Sequence, residues 1–132
     1  MKERSDLAVE TWNALKGASW PIFTAIGEMT VQAGSTTAQM SLLNVLYDSS
    51  EDMTPLEVAN SLRVTPGTVT GTLNRLEDTG MIERGRGESE DRRIIKLRIT
   101  SKGRDLVKHW RESCRSYFEE ILSPLSDIEL HT

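Results

Sequence analysis

Residues 53–80 read Met53-Thr54-Pro55-Leu56-Glu57-Val58-Ala59-Asn60-Ser61-Leu62-Arg63-Val64-Thr65-Pro66-Gly67-Thr68-Val69-Thr70-Gly71-Thr72-Leu73-Asn74-Arg75-Leu76-Glu77-Asp78-Thr79-Gly80. The segment contains two helix starts of the same kind. Thr54 is placed to cap, Pro55 takes the first helical position, where its missing N–H costs nothing, and Glu57 can reach back to complete a capping box. That helix is short and ends near Leu62-Arg63. Thr65-Pro66 repeats the cap-plus-proline pattern, so a second helix is expected to run to about Thr79, with Gly80 as its left-handed stop. Two short helices joined by a turn of about three or four residues form a helix-turn-helix unit.

The second helix has an informative outer face. Val69, Leu73 and Leu76 share one side and form the stripe that must be buried. Opposite them lie Gly67, Gly71 and Asn74, flanked by Thr68, Thr70 and Arg75. Glycine and threonine are poor helix formers, and a merely solvated face would more naturally carry Glu, Lys and Ala. Small residues in mid-face let the backbone approach another surface. Threonine, asparagine and arginine suit base edges and phosphates. The helix N-terminus behind Thr65 adds N–H groups suited to a phosphate.

Downstream, Met81-Ile82-Glu83-Arg84 and Ile94-Ile95-Lys96-Leu97-Arg98-Ile99 are β-branched and apolar, and the second alternates, so they read as antiparallel strands. The polar tip between them brings Arg84, Arg86, Arg92 and Arg93 to one hairpin, where an arginine can enter a minor groove. Asp91 is the carboxylate best placed to hold one of these arginines extended. Thr100 caps a further helix from Ser101 to about Leu122, with an apolar stripe through Leu106, Val107, Trp110, Cys114, Tyr117, Phe118 and Ile121. Pro124 ends it, and Ser126-Asp127-Ile128-Glu129 opens a last helix. Upstream, Leu7 to about Met29 carries apolar residues at three- and four-residue steps, as one long helix or as two broken at Pro21. Gly34 is a stop, and Thr36 with Gln39 is a second capping box, opening a helix that runs to about Asp48 and buries Met40, Leu43 and Leu46.

The chain of 132 residues carries 16 basic and 20 acidic side chains, a net charge of −4, which by itself argues against a polyanionic partner. The charge is uneven. Residues 61–104 hold 10 basic and 6 acidic groups, while 1–60 hold 3 and 8 and 105–132 hold 3 and 6. A basic segment between acidic ones is the electrostatic footprint that phosphate contacts need. No run of about 18 apolar residues occurs, which excludes a membrane-spanning helix. Met1 to Asp6 lacks the apolar core of a signal peptide, so a cytoplasmic location is expected. His109 and His131 are the imidazoles, Cys114 is the one cysteine, and no catalytic triad or metal-ligand spacing emerges. The reading is therefore not an enzyme, with no cofactor and no metal.

In order and spacing, Thr36-Thr37-Ala38-Gln39, Met53 to Ala59, Val64 to Thr70, Asn74 to Arg84, Asp91-Arg92-Arg93 and Ile99-Thr100-Ser101-Lys102-Gly103 resemble a MarR-type (SlyA-like) winged helix-turn-helix transcriptional regulator, over about residues 34–130. The resemblance implies a mainly α fold with a small antiparallel β wing. It implies one domain over 1–132, with the winged helix-turn-helix at 36–100 and dimerisation helices at 1–33 and 101–132. Its partner would be double-stranded DNA, bound by a homodimer on a pseudo-palindromic operator, as a repressor released by a small, often aromatic, ligand. Thr65, Thr68 and Thr70 match helix positions that meet phosphates and bases, and Asp91 and Arg93 match a wing pair in which the acid orients the arginine. Trp12, Trp20 and Tyr47 are candidates to line the effector pocket, with core or dimer packing as the other role for each. The closing helix of such proteins is cut at Thr132, implying either a smaller dimer surface or a chain that continues. A winged-helix module that binds protein instead of DNA is the alternative function.

Overall fold

The computed structural model describes residues 3–86 and 94–123. Helix α1 spans Arg4–Gln32, α2 Thr37–Asp48, α3 Pro55–Leu62 and α4 Pro66–Asp78; strands β1 Ile82–Arg86 and β2 Ile95–Ile99 follow, then α5 Ser101–Leu122. The start signals work locally as the side chains dictate. Thr36 accepts from the Gln39 N–H while Gln39 accepts from the Thr36 N–H, and Thr54 and Glu57 repeat the exchange. Thr100 accepts from the Gly103 N–H to open α5. Gly34 and Gly80 both have positive φ, at 74° and 76°, where a side chain would be strained.

Of the two alternatives for the N-terminal segment, one long helix is formed, and α1 is continuous through Pro21. The proline removes a single i→i−4 bond, to the carbonyl of Gly17, and both residues are exposed, so water can replace the lost donor. Thr65 occupies the N-cap of α4 in extended conformation but makes no side-chain bond to the helix backbone. Its hydroxyl pairs instead with that of Thr68 at 2.8 Å. The expected helix after Pro124 lies outside the described residues.

The core is built from one face of each short element. Met40, Leu42, Leu43 and Leu46 of α2, Val58 and Ala59 of α3, and Val69, Leu73 and Leu76 of α4 pack with Ile82, Leu97, Ile99 and Val107. β1 and β2 pair antiparallel from Ile82↔Ile99 to Arg86↔Ile95. The turn before α3 joins the sheet through an isolated bridge, Met53↔Leu97, so the hairpin is fastened to the helix-turn-helix unit. A bidentate pair from Arg98 to Asp52, at 3.1 and 2.8 Å, reinforces that joint.

α1 reaches the rest of the molecule through its last turns. Thr30 is buried, donates to the Ile26 carbonyl and accepts the Trp110 indole N–H at 3.0 Å. Ile22 and Ile26 are half-buried, while other apolar residues of α1 are left uncovered by the described residues: Trp12 is 65%, Trp20 77% and Phe23 70% exposed.

Candidate nucleic-acid interface

α4 lies with Val69, Leu73 and Leu76 in the core, as its periodicity requires, and turns the other side to solvent. Gly67 and Gly71 sit on that open side. Among the described residues a Cβ added at either would meet nothing within 4 Å, so neither glycine is needed for packing against them. Beside them, Thr36 and Gln39 at the start of α2 and Arg75 on α4 border a groove of about 280 Å³. The start of α2 is a flank that the sequence did not single out. Its capping box located the helix end, but only the packing of α2 across α4 brings it to the groove.

The hydroxyls on this face are already engaged. Thr65 and Thr68 share one hydrogen bond, and Thr70 donates to the Pro66 carbonyl at 3.1 Å. Bonding back onto the helix leaves hydroxyl oxygens as acceptors or rotors and fixes where the methyl groups stand. Asn74 and Arg84, proposed separately from the sequence, are brought together: an Arg84 Nη2 donates to Asn74 Oδ1 at 2.6 Å, and Arg84 Nε pairs with Glu77 Oε2 at 3.0 Å. Arg75 is exposed near the α4 C-terminus. Arg86 ends β1 opposite Ile95. Asp91, Arg92 and Arg93 lie outside the described residues.

The wing joint carries a titration. The Arg98 guanidinium beside Asp52 holds that carboxyl below its ordinary value of 3.8, against a smaller opposing effect of burial. A folded pKa lower than the unfolded one adds stability above the unfolded value and loses it as pH falls through the folded one. Asp52→Asn should therefore flatten the acid limb of a stability-versus-pH curve around and below 3.8 while leaving pH 7 stability within about 1 kcal/mol, because the pair is exposed. Urea titrations at stepped pH measure it; an acid limb unchanged by the substitution would show that the pair is not formed in solution.

The three aromatic candidates for an effector pocket separate. Trp12 and Trp20 stand on the uncovered row of α1, and Tyr47 lies under two guanidiniums, 4.5 Å from that of Arg111 and 5.6 Å from that of Arg104. A cavity of about 480 Å³ opens elsewhere, between the end of α1, the turn at Met81 and the first turns of α5. Met29, Met81, Leu106 and Trp110 give it an apolar wall, and Lys102 and His109 a polar rim. This cavity was not visible in the sequence, because its walls come from three separated segments. One wall is structurally tied to α4. Lys102 Nζ donates to the Thr79 carbonyl at 2.8 Å, and the Thr100 hydroxyl donates to the Gly80 carbonyl at 2.6 Å. Cys114 is half-buried, and burial pushes its thiol above its ordinary value, which suits a packing residue and not a reactive thiolate.

This arrangement of helices, hairpin and open α4 face has counterparts among known proteins. Residues 33–94 match the model of the MarR family. Over these residues, a little under half of its length, the chain is similar to the MarR family. The chain is 28% identical over 96 residues to the uncharacterized HTH-type transcriptional regulator YdgJ of Bacillus subtilis, an alignment covering 73% of the chain and 57% of YdgJ. It thus spans little more than half of that relative's length. Its fold matches a MarR family protein from Bacillus stearothermophilus with a TM-score of 0.88 at 21% identity, over 98% of this chain and 89% of that one. It also matches a mutant of S. aureus MepR bound to an oligodeoxyribonucleotide, with a TM-score of 0.78 at 23% identity over 92% and 88% of the two chains. Among the described residues the fold has five helices and a two-stranded hairpin, the mainly α architecture with a small antiparallel wing that was expected.

Proposed function

We propose that the chain binds duplex DNA as a homodimer, with the two α4 helices in successive major grooves, and that it regulates transcription, most simply as a repressor. The observation that carries this reading is the open Gly67–Gly71 face of α4, where two of the weakest helix formers are kept with no packing need among the described residues. Close backbone approach to a groove gives them a purpose. The oligodeoxyribonucleotide held by the MepR mutant supports it by analogy of fold. The relatives' description as transcriptional regulators favours binding over catalysis. A second copy of the chain would cover Trp12, Trp20 and Phe23, since exposed apolar surface of this extent marks an interface. The acidic N- and C-terminal segments would then keep DNA off the dimer helices.

Release by a small molecule belongs to the same proposal. The cavity beside Trp110 is of the size that takes a small, largely apolar ligand. An occupant there would press on Met81 and Lys102, and Lys102 holds the carbonyl at the end of α4.

A salt titration tests the binding claim against the protein-module alternative. Neutralising about six to ten phosphates makes affinity fall by roughly 10³ to 10⁵ between 50 and 200 mM salt. Fluorescence anisotropy with labelled duplex should show that steep fall. A nearly flat dependence would favour an apolar protein partner.

A further inference from the structure

We propose that Arg84 does not grip DNA itself but is a positioning residue for Asn74, turning that side chain into a presenter of N–H donors to the groove. The inference rests on the reading that α4 enters DNA. In the hairpin register Ile82 faces Ile99 and Arg84 faces Leu97, and side chains two apart on a strand share a side. Ile82, Leu97 and Ile99 are all buried, so Arg84 leaves the sheet on the core side, towards α4, at an exposed edge of that side.

There it is held at two points. One Nη2 donates to Asn74 Oδ1 at 2.6 Å, and Nε pairs with Glu77 Oε2 at 3.0 Å. Asn74 and Glu77 are three residues apart on α4, one turn of a common face, so a single guanidinium spans both. Glu77 offsets the charge that a phosphate would otherwise attract. A guanidinium has donors only, so the Asn74 group it meets must be the carbonyl oxygen, and the amide orientation is fixed by chemistry. The oxygen edge of Asn74 is thus turned to β1, and its NH₂ edge, unpartnered among the described residues, is the one left to the groove.

That orientation has a consequence for recognition. An asparagine reads adenine by offering both edges, accepting from N6 and donating to N7. With its oxygen drawn to Arg84, Asn74 favours partners that only accept: guanine O6 and N7, thymine O4, or a phosphate oxygen.

The test uses the full chain and one duplex, selected by the wild type from a randomised pool. Arg84→Met is expected to weaken binding about tenfold, a loss on the scale of one specific contact, with the slope of log Kd against log salt unchanged. Arg84→Lys should behave like Arg84→Met, because an ammonium cannot span Asn74 and Glu77 in the same way. In an Asn74→Ala background the further change Arg84→Met should cost less than about twofold, since coupled residues are non-additive. Three results would overturn the assignment: a salt slope shallower by about two for the dimer, binding restored by Arg84→Lys, or losses that add. Failure of the wild type to select any duplex would instead take down the DNA reading, and the assignment with it.

Discussion

Gly71→Leu is expected to abolish specific DNA binding while leaving the fold intact. A Cβ at this position has no neighbour within 4 Å among the described residues, so none of them resists it. Replacing glycine in an exposed helix interior should even stabilise α4 by about 0.5–1 kcal/mol. Against a groove, the same four carbons would hold the backbone away and remove contacts at both half-sites. Each good base contact discriminates by about 1–3 kcal/mol, so losing one per half-site weakens binding roughly 100-fold or more. Anisotropy with the selected duplex and a thermal melt of the free protein measure the two halves of the prediction. A variant that melts at or above the wild-type temperature and still binds normally would mean that a different face of the chain meets DNA.

The opposite outcome is expected at Gly103. This glycine is buried at the start of α5, where an added Cβ would run into the Met81 carbonyl oxygen and stand 2.8 Å from Ile99 Cγ1. The obstacle is backbone, which cannot swing aside as a side chain can. It is also backbone already committed, because the Met81 carbonyl accepts the Thr100 N–H at 3.0 Å. Gly103→Ala should therefore destabilise by about 2–3 kcal/mol despite the better helix propensity of alanine, lowering Tm by roughly 10 °C. An unchanged or raised Tm would show that α5 is not seated on the Met81 turn. The contact also has a functional side: α5 is held to the end of α4 at this seat, so a shift of one should be felt by the other.

The contrast between these two glycines shows what could be read from the sequence and what could not. Gly71 was legible because helical periodicity put it opposite Val69, Leu73 and Leu76. Gly103 gave no such signal, since its constraint comes from the turn at Met81, distant in the sequence. Capping is likewise local, so Thr36, Thr54 and Thr100 could be placed from their neighbours, and the structure forms each of those bonds. Thr65 looked equivalent but found a closer partner in Thr68. Arg84 was read as one of several wing arginines because charge counts ignore direction. The alternation of β1 already placed it on the side of Ile82, and that was the signal available. The apolar row of α1 announced burial, yet the described residues leave Trp12 and Trp20 exposed, because periodicity marks a face as apolar without saying what packs on it. The net charge of −4 misled in bulk and informed once divided, since a basic segment of 61–104 coincides with the α4 face and the hairpin.

Chemical protection mapping of duplex DNA from upstream of the protein's own gene, at low salt, decides whether two α4 helices of a dimer enter successive major grooves. Two protected tracts centred about one helical turn apart, roughly 34 Å, are expected, and both should vanish with Gly71→Leu. Absence of protection on that DNA and on random duplex alike, or tracts that persist unchanged with Gly71→Leu, would contradict that arrangement.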